Sequence, residues 1–220
     1  MLFKRNLTPL MNKPIQLTFL ILTSISFFLS VNVLYLARSD RVYQVLAINA
    51  HHEQLNQRDR IALGSHIQKA LLTINSIQFR SSQGFELFNS KEVLHMLDVA
   101  KLLQKVFYWM LFSAFLLILG IKFTSPLSFL LCKRIGYYTV GILLSLSFLL
   151  ILFFSSLFHV FHLVSFTNDF WLLDPRTDFL IRLFPLSFFQ VALVWIFLSS
   201  ILLSLLFWLG IPKLRTIIRS

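Results

Sequence analysis

Charge is scarce in this chain. Only 13% of its 220 residues are charged while 57% are hydrophobic, and the mean hydropathy is +0.76. That balance excludes a soluble domain and defines an integral membrane protein, one too short for a large transporter. Cysteine occurs once, at Cys132. A lone thiol makes neither an intramolecular disulfide nor a Cys-x-x-Cys site. No G-x-S-x-G sequence occurs, so nothing marks a serine nucleophile elbow. Ionisable residues are missing from the middle of every long apolar run, which argues against a transporter or channel.

What is present is hydrophobic length. A helix rises 1.5 Å per residue, so about 20 apolar residues cross a hydrocarbon core of roughly 30 Å. Four stretches qualify, at 15–37, 104–123, 136–160 and 187–211. The first is too long for a signal-peptide core of about 7–15 residues and reads as an uncleaved anchor. Its Gln16 and Asn32 lie near the ends, where interfacial solvation accounts for them. The serines of the last two spans, among them Ser199, Ser200 and Ser204, read as helix-packing residues.

The few charges orient these spans. Lys4, Arg5 and Lys13, then Lys122, Lys133 and Arg134, then Lys213, Arg215 and Arg219 form three basic segments free of acid. The positive-inside rule makes 1–14, 124–135 and 212–220 cytoplasmic, leaving 38–103 and 161–186 extracytoplasmic. Every histidine and acid then falls on the outer side, across the membrane from Cys132. The net charge of +11 divides as +9 inside and +2 outside. It reflects topology and contact with anionic lipid, not nucleic-acid binding. The expected fold is an all-α membrane protein, a four-transmembrane-helix bundle with a small extracytoplasmic helical cap and an interfacial lip.

Within the cap, Ile61, Ile67, Leu71, Ile74 and Ile77 recur at roughly helical spacing and suggest an amphipathic helix. The SSQG of Ser81 to Gly84 reads as a turn. His51, His52 and His66 make no compact ligand pattern and read as solvated. Asn89 with Glu92 is a capping-box start, with Phe88 and Val93 as its staple, for a helix running unbroken into the second span. On it His95 and Asp98 share a face, either as a solvated pair or as a carboxylate orienting a basic imidazole. His159 and His162 stand three apart at the outer end of the third span and could also share a face. They could hold a metal with Asp98 or Asp169, but structural and catalytic zinc sites carry stronger patterns. Asp174 followed by Pro175 reads as the N-cap and first turn of a short helix, with Asp178 and Arg182 as a surface pair on it. Trp171 suits the interfacial belt, and Pro185 separates the short helix from the last span.

The HMLDV of His95 to Val99, with Glu92 three residues ahead, and the FHLVSFTNDFWLLDPRTDFLIRLFPLSFF of Phe161 to Phe189 resemble the bacterial lipoprotein intramolecular transacylase family. The resemblance implies four spans, residence in the bacterial cytoplasmic membrane, and transfer of the sn-2 acyl chain of a diacylglyceryl-cysteine to that cysteine's own α-amino group. It matches His95 and Asp98 to the HM-x-DV motif, and His162 rather than His159 to the FH-x-x-F motif. Trp171, Asp174 and Asp178 match its W-x-x-D…D run, and Phe184-Pro185 its FP. Ala100, Ser165 and Leu186 depart from the pattern. The catalytic residues so implied are His95, His162 and Asp98. Glu92, Asn168, Asp169, Trp171, Asp174 and Asp178 bind substrate or support them. The partners are a diacylated lipoprotein N-terminus and membrane lipids; no cofactor, metal or nucleic acid is implied. Donor and acceptor belong to one molecule, so proximity is built into the substrate and no protein nucleophile is needed. A histidine nucleophile, a non-catalytic lipid-binding subunit and a metal-dependent lipid hydrolase are the competing readings.

Overall fold

A computed structural model describes residues 13–49, 55–123 and 128–217. Its helices, in chain order, are α1 (Lys13–Arg38), α2 (Asp40–Asn49), α3 (Gln57–Thr73), α4 (Ser90–Phe123), α5 (Ser128–Leu152), α6 (Phe154–Ser165), α7 (Leu180–Leu183) and α8 (Leu186–Ile217). Four of them, α1, α4, α5 and α8, are long and apolar enough to cross a membrane, and the protein is a helical membrane protein as expected. His51 and His52 lie outside the described residues, as do Lys4, Arg5 and Arg219.

Helix α1 is the central post of the bundle, in contact with α4, α5 and α8. Leu20, Ile21 and Ile25 on α1 meet Leu117, Ile135, Leu143 and Phe197 from the three other helices in one buried cluster. Gly120 admits Leu20 there, because a β-carbon at 120 would collide with the leucine side chain. Polar pairs also cross between helices. Ser24 and Thr139 exchange a hydrogen bond of 2.9 Å, and Asn32 Nδ2 donates to Ser200 Oγ at 2.9 Å. The interfacial reading of Asn32 is therefore wrong: it is 4% exposed and ties α1 to α8. Lipid offers no alternative partner to such groups, which is why small polar residues serve as helix contacts. The hydroxyls of Ser24 and Ser30 and the amide of Asn32 also bond carbonyls of α1 itself, three or four residues back.

Outside this bundle a second apolar cluster binds α2, α3, the start of α4 and α7 together. It contains Tyr43, Leu63, Ile67, Leu71, Ile77, Phe88, Met96, Ala100, Phe179 and Leu183, among others. The amphipathic pattern holds in part: Ile67 and Leu71 face inward, but Ile61 is 55% exposed. Ile74 ends α3 in the left-handed conformation (φ 55°), so Ile77 reaches the same core from the following loop. The SSQG turn is present, with Gly84 at φ 83° and an antiparallel bridge between Arg80 and Glu86 closing it. Asp59, buried in the first turn of α3, accepts from the amide and hydroxyl of Ser82 at 3.0 and 2.9 Å and fixes the turn to the cap.

Helix α4 starts at the expected capping box. Asn89 N donates to Glu92 Oε2 at 2.7 Å and Glu92 N to Asn89 Oδ1 at 3.0 Å, while Phe88 and Val93 join the outer cluster. Its 34 residues span about 51 Å, more than hydrocarbon requires. Lys91, Glu92, Asp98, Lys101 and Lys105 all fall in its first half. The uncharged stretch 106–121 is thus the part suited to lipid, and the turns carrying His95 are suited to water and headgroups.

Two boundaries differ from expectation. The stretch read as one span, 136–160, is broken at Phe153 (φ −112°, ψ 26°), although backbone hydrogen bonds continue on both sides of it. No proline or glycine marks the break. The short helix expected from Asp174 is instead a turn through 177, and the helical turn begins at Leu180. The Asp174 carboxylate takes the N–H and guanidinium of Arg176, holding the chain in an Asx-type turn that competes with helix.

Candidate functional site

His95 and His162 face one another across the junction of α4 and α6. Their ring centroids are 6.1 Å apart with planes inclined at 31°. His95 is 8% exposed, and Phe166 presents an edge to it at 5.2 Å. Its Nδ1 is buried without a hydrogen-bond partner among the described residues. Burial pushes His95 down to about 4, with the neighbouring His162 and Lys91 acting the same way and Asp98 opposing them.

His162 is half-buried and more firmly held. Its Nδ1–H donates to the Phe158 carbonyl at 2.7 Å, since a carbonyl can only accept. That bond assigns the tautomer and leaves Nε2 with its lone pair. Burial lowers His162 below the ordinary histidine range, and the Phe158 bond partly restores it. Aromatic rings surround it: Phe158 at 4.5 Å, Trp171 at 5.1 Å and Phe166 at 5.7 Å. Trp171 also touches the exposed His159 at 5.2 Å. The expected belt tryptophan is therefore packed on histidines.

Asp98 does not hydrogen-bond His95. One of its oxygens accepts from Asn168 Nδ2 at 2.9 Å, and the other pairs with Lys101 at 3.3 Å. The carboxylate that was to orient the imidazole instead clamps the segment after α6 onto α4, and influences His95 only through its charge. Asn168 Oδ1 in turn accepts the amide of Phe170. Asp169 is exposed and its carboxylate has no partner among the described residues. Ala100 is 1% exposed within the outer cluster, where a lysine has no room, and the cation of this face stands at Lys101.

A second network lies beside the pair and holds the lip in place. Glu92, 1% exposed, caps α4 and also accepts the amide of Leu180 at 2.6 Å. One carboxylate thus caps two helices. Asn89 Nδ2 donates to Asp178 Oδ1 at 2.9 Å, and Asp178 Oδ2 accepts the Asp174 amide at 2.8 Å. Asp178 is buried at 5% exposure, so the expected surface pair with Arg182 is replaced: Arg182 Nε reaches only the Asp178 carbonyl, at 3.3 Å. Burial raises Glu92, Leu180 and Asn89 N–H groups lower it, and the charge of Asp178 raises it again. Lys91 adds a hydrogen bond to the Leu172 carbonyl.

Sequence reasoning missed Phe158, Phe166 and Lys101. Phe158 and Lys101 stand at helical spacing from His162 and Asp98, which was a usable signal. It also missed Leu180, whose backbone amide meets Glu92 from 88 positions away and gives no sign in the sequence. Among the described residues no three His, Cys, Asp or Glu side chains converge on a metal position. The metal-dependent hydrolase reading thus finds no ligand set among them.

The low value for His95 has a direct consequence for stability. The unfolded chain takes up a proton below its ordinary value of 6.5, while the folded chain resists until about 4. Stability is therefore complete above pH 6.5 and is lost as pH falls toward 4. The loss is about 3 kcal/mol, from about 1.4 kcal/mol per pH unit. Thermal unfolding in detergent between pH 7 and 4.5 should show the decline, and His95→Phe should flatten it. An equal slope in that variant would refute the assignment.

The four apolar helices, with the paired imidazoles held where α4 meets α6, define the class: a multi-pass helical membrane protein. The family model for the lipoprotein intramolecular transacylase Lit matches residues 15–189. The chain belongs to that family, whose members are acyltransferases. The fold agrees. The solved structure of the membrane-integral Lit from Bacillus cereus is similar with a TM-score of 0.66 at 19% identity, covering 94% of this chain and 99% of that one. A variant of the same protein with a histidine replaced by alanine is similar with a TM-score of 0.67 at 17% identity, covering 94% of each chain. No match was found among curated proteins.

Proposed function

We propose that this protein transfers the sn-2 acyl chain of a diacylglyceryl-modified N-terminal cysteine to that cysteine's own α-amine, at the outer membrane interface, with His162 as the proton carrier and His95 as a neutral hydrogen-bonding partner of the reacting oxygens. Family membership supports the reaction class. The observation that carries the mechanism is the pairing of the two rings at 6.1 Å, one with a fixed tautomer and one with a buried nitrogen that has no partner among the described residues. The segregation of basic residues supports the outer placement.

The α-ammonium, whose reference pKa is about 7.7–8.0, first loses a proton to bulk water and so reaches the free amine that attacks. The amine nitrogen then adds to the ester carbonyl, and His162 Nε2 takes the proton that nitrogen sheds. His162 suits the role because its Nδ1–H remains on the Phe158 carbonyl when the ring is charged, and the Trp171 face favours an imidazolium. Collapse of the tetrahedral oxyanion breaks the bond to the glycerol oxygen and leaves the amide. The glycerol oxygen receives the proton back from His162. Both imidazoles begin neutral, so the proton delivered is the one removed and the balance closes without an outside acid. His95, for which charge is most costly, stays neutral and hydrogen-bonds the reacting oxygens. Asp98 acts as a positioning residue, setting α6 against α4 through Asn168.

Substrate and product are isomers, so mass alone does not distinguish them. A reporter lipoprotein from cells with this protein should retain one acyl chain as an amide after mild base removes its esters. Tandem mass spectrometry reads this directly. Loss of every chain in those cells, as in cells lacking the protein, would overturn the proposal.

A further inference from the structure

Away from the histidines, a groove of about 230 Å³ opens between α1, α3 and α4. Its walls include Leu34, Leu72, Leu103, Phe107 and Tyr108, and Arg38 also lines it. It is far larger than the ~30 Å³ share of one water. Gln104 on its wall is nine positions beyond His95, about 180° around α4, so the groove is a separate site.

We propose that this groove holds one anionic phospholipid, with the phosphate on Arg38 and an acyl chain along Leu34, Leu103 and Phe107. The groove lies where α1 ends, at the limit of an apolar span, and so at the depth of lipid headgroups. Its rim is open and amphipathic: Leu72 is 42% and Tyr108 60% exposed. The Arg38 guanidinium lies 5.5 Å from the centre of the Phe107 ring. It makes no ion pair among the described residues, not even with Asp40 at the start of α2. A planar guanidinium beside Leu34, Leu103 and Phe107 matches a phosphodiester beside its chains. An anionic headgroup suits it better than a zwitterionic one, whose own ammonium competes for the phosphate.

Native mass spectrometry of the full chain in neutral detergent tests this, with dioleoyl phosphatidylglycerol, dioleoyl phosphatidylcholine and inorganic phosphate as probes. One phosphatidylglycerol should be retained, phosphatidylcholine should bind more weakly, and phosphate alone should not compete. Arg38→Gln should weaken phosphatidylglycerol binding at least tenfold. Ala37→Phe, which fills the slot, should do the same. If Ala37→Phe does not fold, the exposed Arg38→Gln decides. Unchanged binding in Arg38→Gln, equal retention of phosphatidylcholine, or displacement by phosphate would each overturn the proposal. His162→Ala should bind the lipid as the unaltered protein does, so failure here is distinguishable from failure of the catalytic reading.

Discussion

Replacing His162 by alanine is expected to slow acyl transfer by a factor on the order of 10²–10⁴, the usual contribution of a positioned acid–base group. The ring is half-buried, and its single backbone bond lies within α6, so the variant should still fold and insert. His95→Ala should lose activity comparably, because the reacting oxygens lose their hydrogen-bonding partner. The two effects should not add, since both rings act on the same tetrahedral transition state. Asp98 provides the contrast. Asp98→Asn can still accept from Asn168, so it should retain activity within about tenfold, whereas Asp98→Ala releases the segment after α6 and should cost more. Initial rates of amide formation on a synthetic diacylated lipopeptide check all four variants. Undiminished rates in both histidine variants would remove the mechanism, and an Asp98→Asn variant as inactive as His95→Ala would make that carboxylate a direct participant.

The other large effect is expected at Glu92. Truncation to alanine strands the buried amide of Leu180 and removes the cap from the amide of Asn89, which water can still reach. At about 1–3 kcal/mol for one buried orphaned group and about 1 kcal/mol for a lost cap, the loss is roughly 2–4 kcal/mol. The variant should melt at markedly lower temperature in detergent, and its activity should fall further than its helix content, because the lip comes away from α4. Glu92→Gln keeps one amide oxygen and should fall between. A double-mutant cycle with Asp178→Ala should show strong coupling, since both residues hold Asn89. Independent, additive losses would mean that the two carboxylates do not form one unit.

Much of this design is local, and the local part was legible. The four spans follow from composition and length. The box of Asn89 and Glu92 was visible as a three-residue spacing, and the turn at Gly84 in the SSQG stretch. The faces shared by His95 with Asp98, and by His159 with His162, follow from helical geometry. Choosing His162 required the motif resemblance, because spacing treats His159 equally. The remainder depends on groups far apart in the chain. Asp98 meets Asn168 across 70 positions, and nothing about an acid three residues from a histidine says that it turns away from it. Asn32 looked interfacial because its partner, Ser200, stands 168 positions later. Asp178 was mistaken for a surface residue because its four-residue spacing to Arg182 mimics a common helix pair, while the chain there is a turn. The break at Phe153 has no compositional sign at all.

The polar side chains of α1 bear on how the protein is made. Helix α1 leaves the ribosome ahead of α5 and α8 and enters lipid before they exist, when Ser24 and Asn32 have no interhelical partner. Both already bond carbonyls of their own helix, at Ile21 and Phe28, so neither side chain enters hydrocarbon bare. The later arrival of Thr139 and Ser200 supplies second partners to side chains that are already satisfied. The bundle can thus be assembled in order of synthesis, with α1 acting as a stable template for docking and the polar contacts selecting which helix seats against which face.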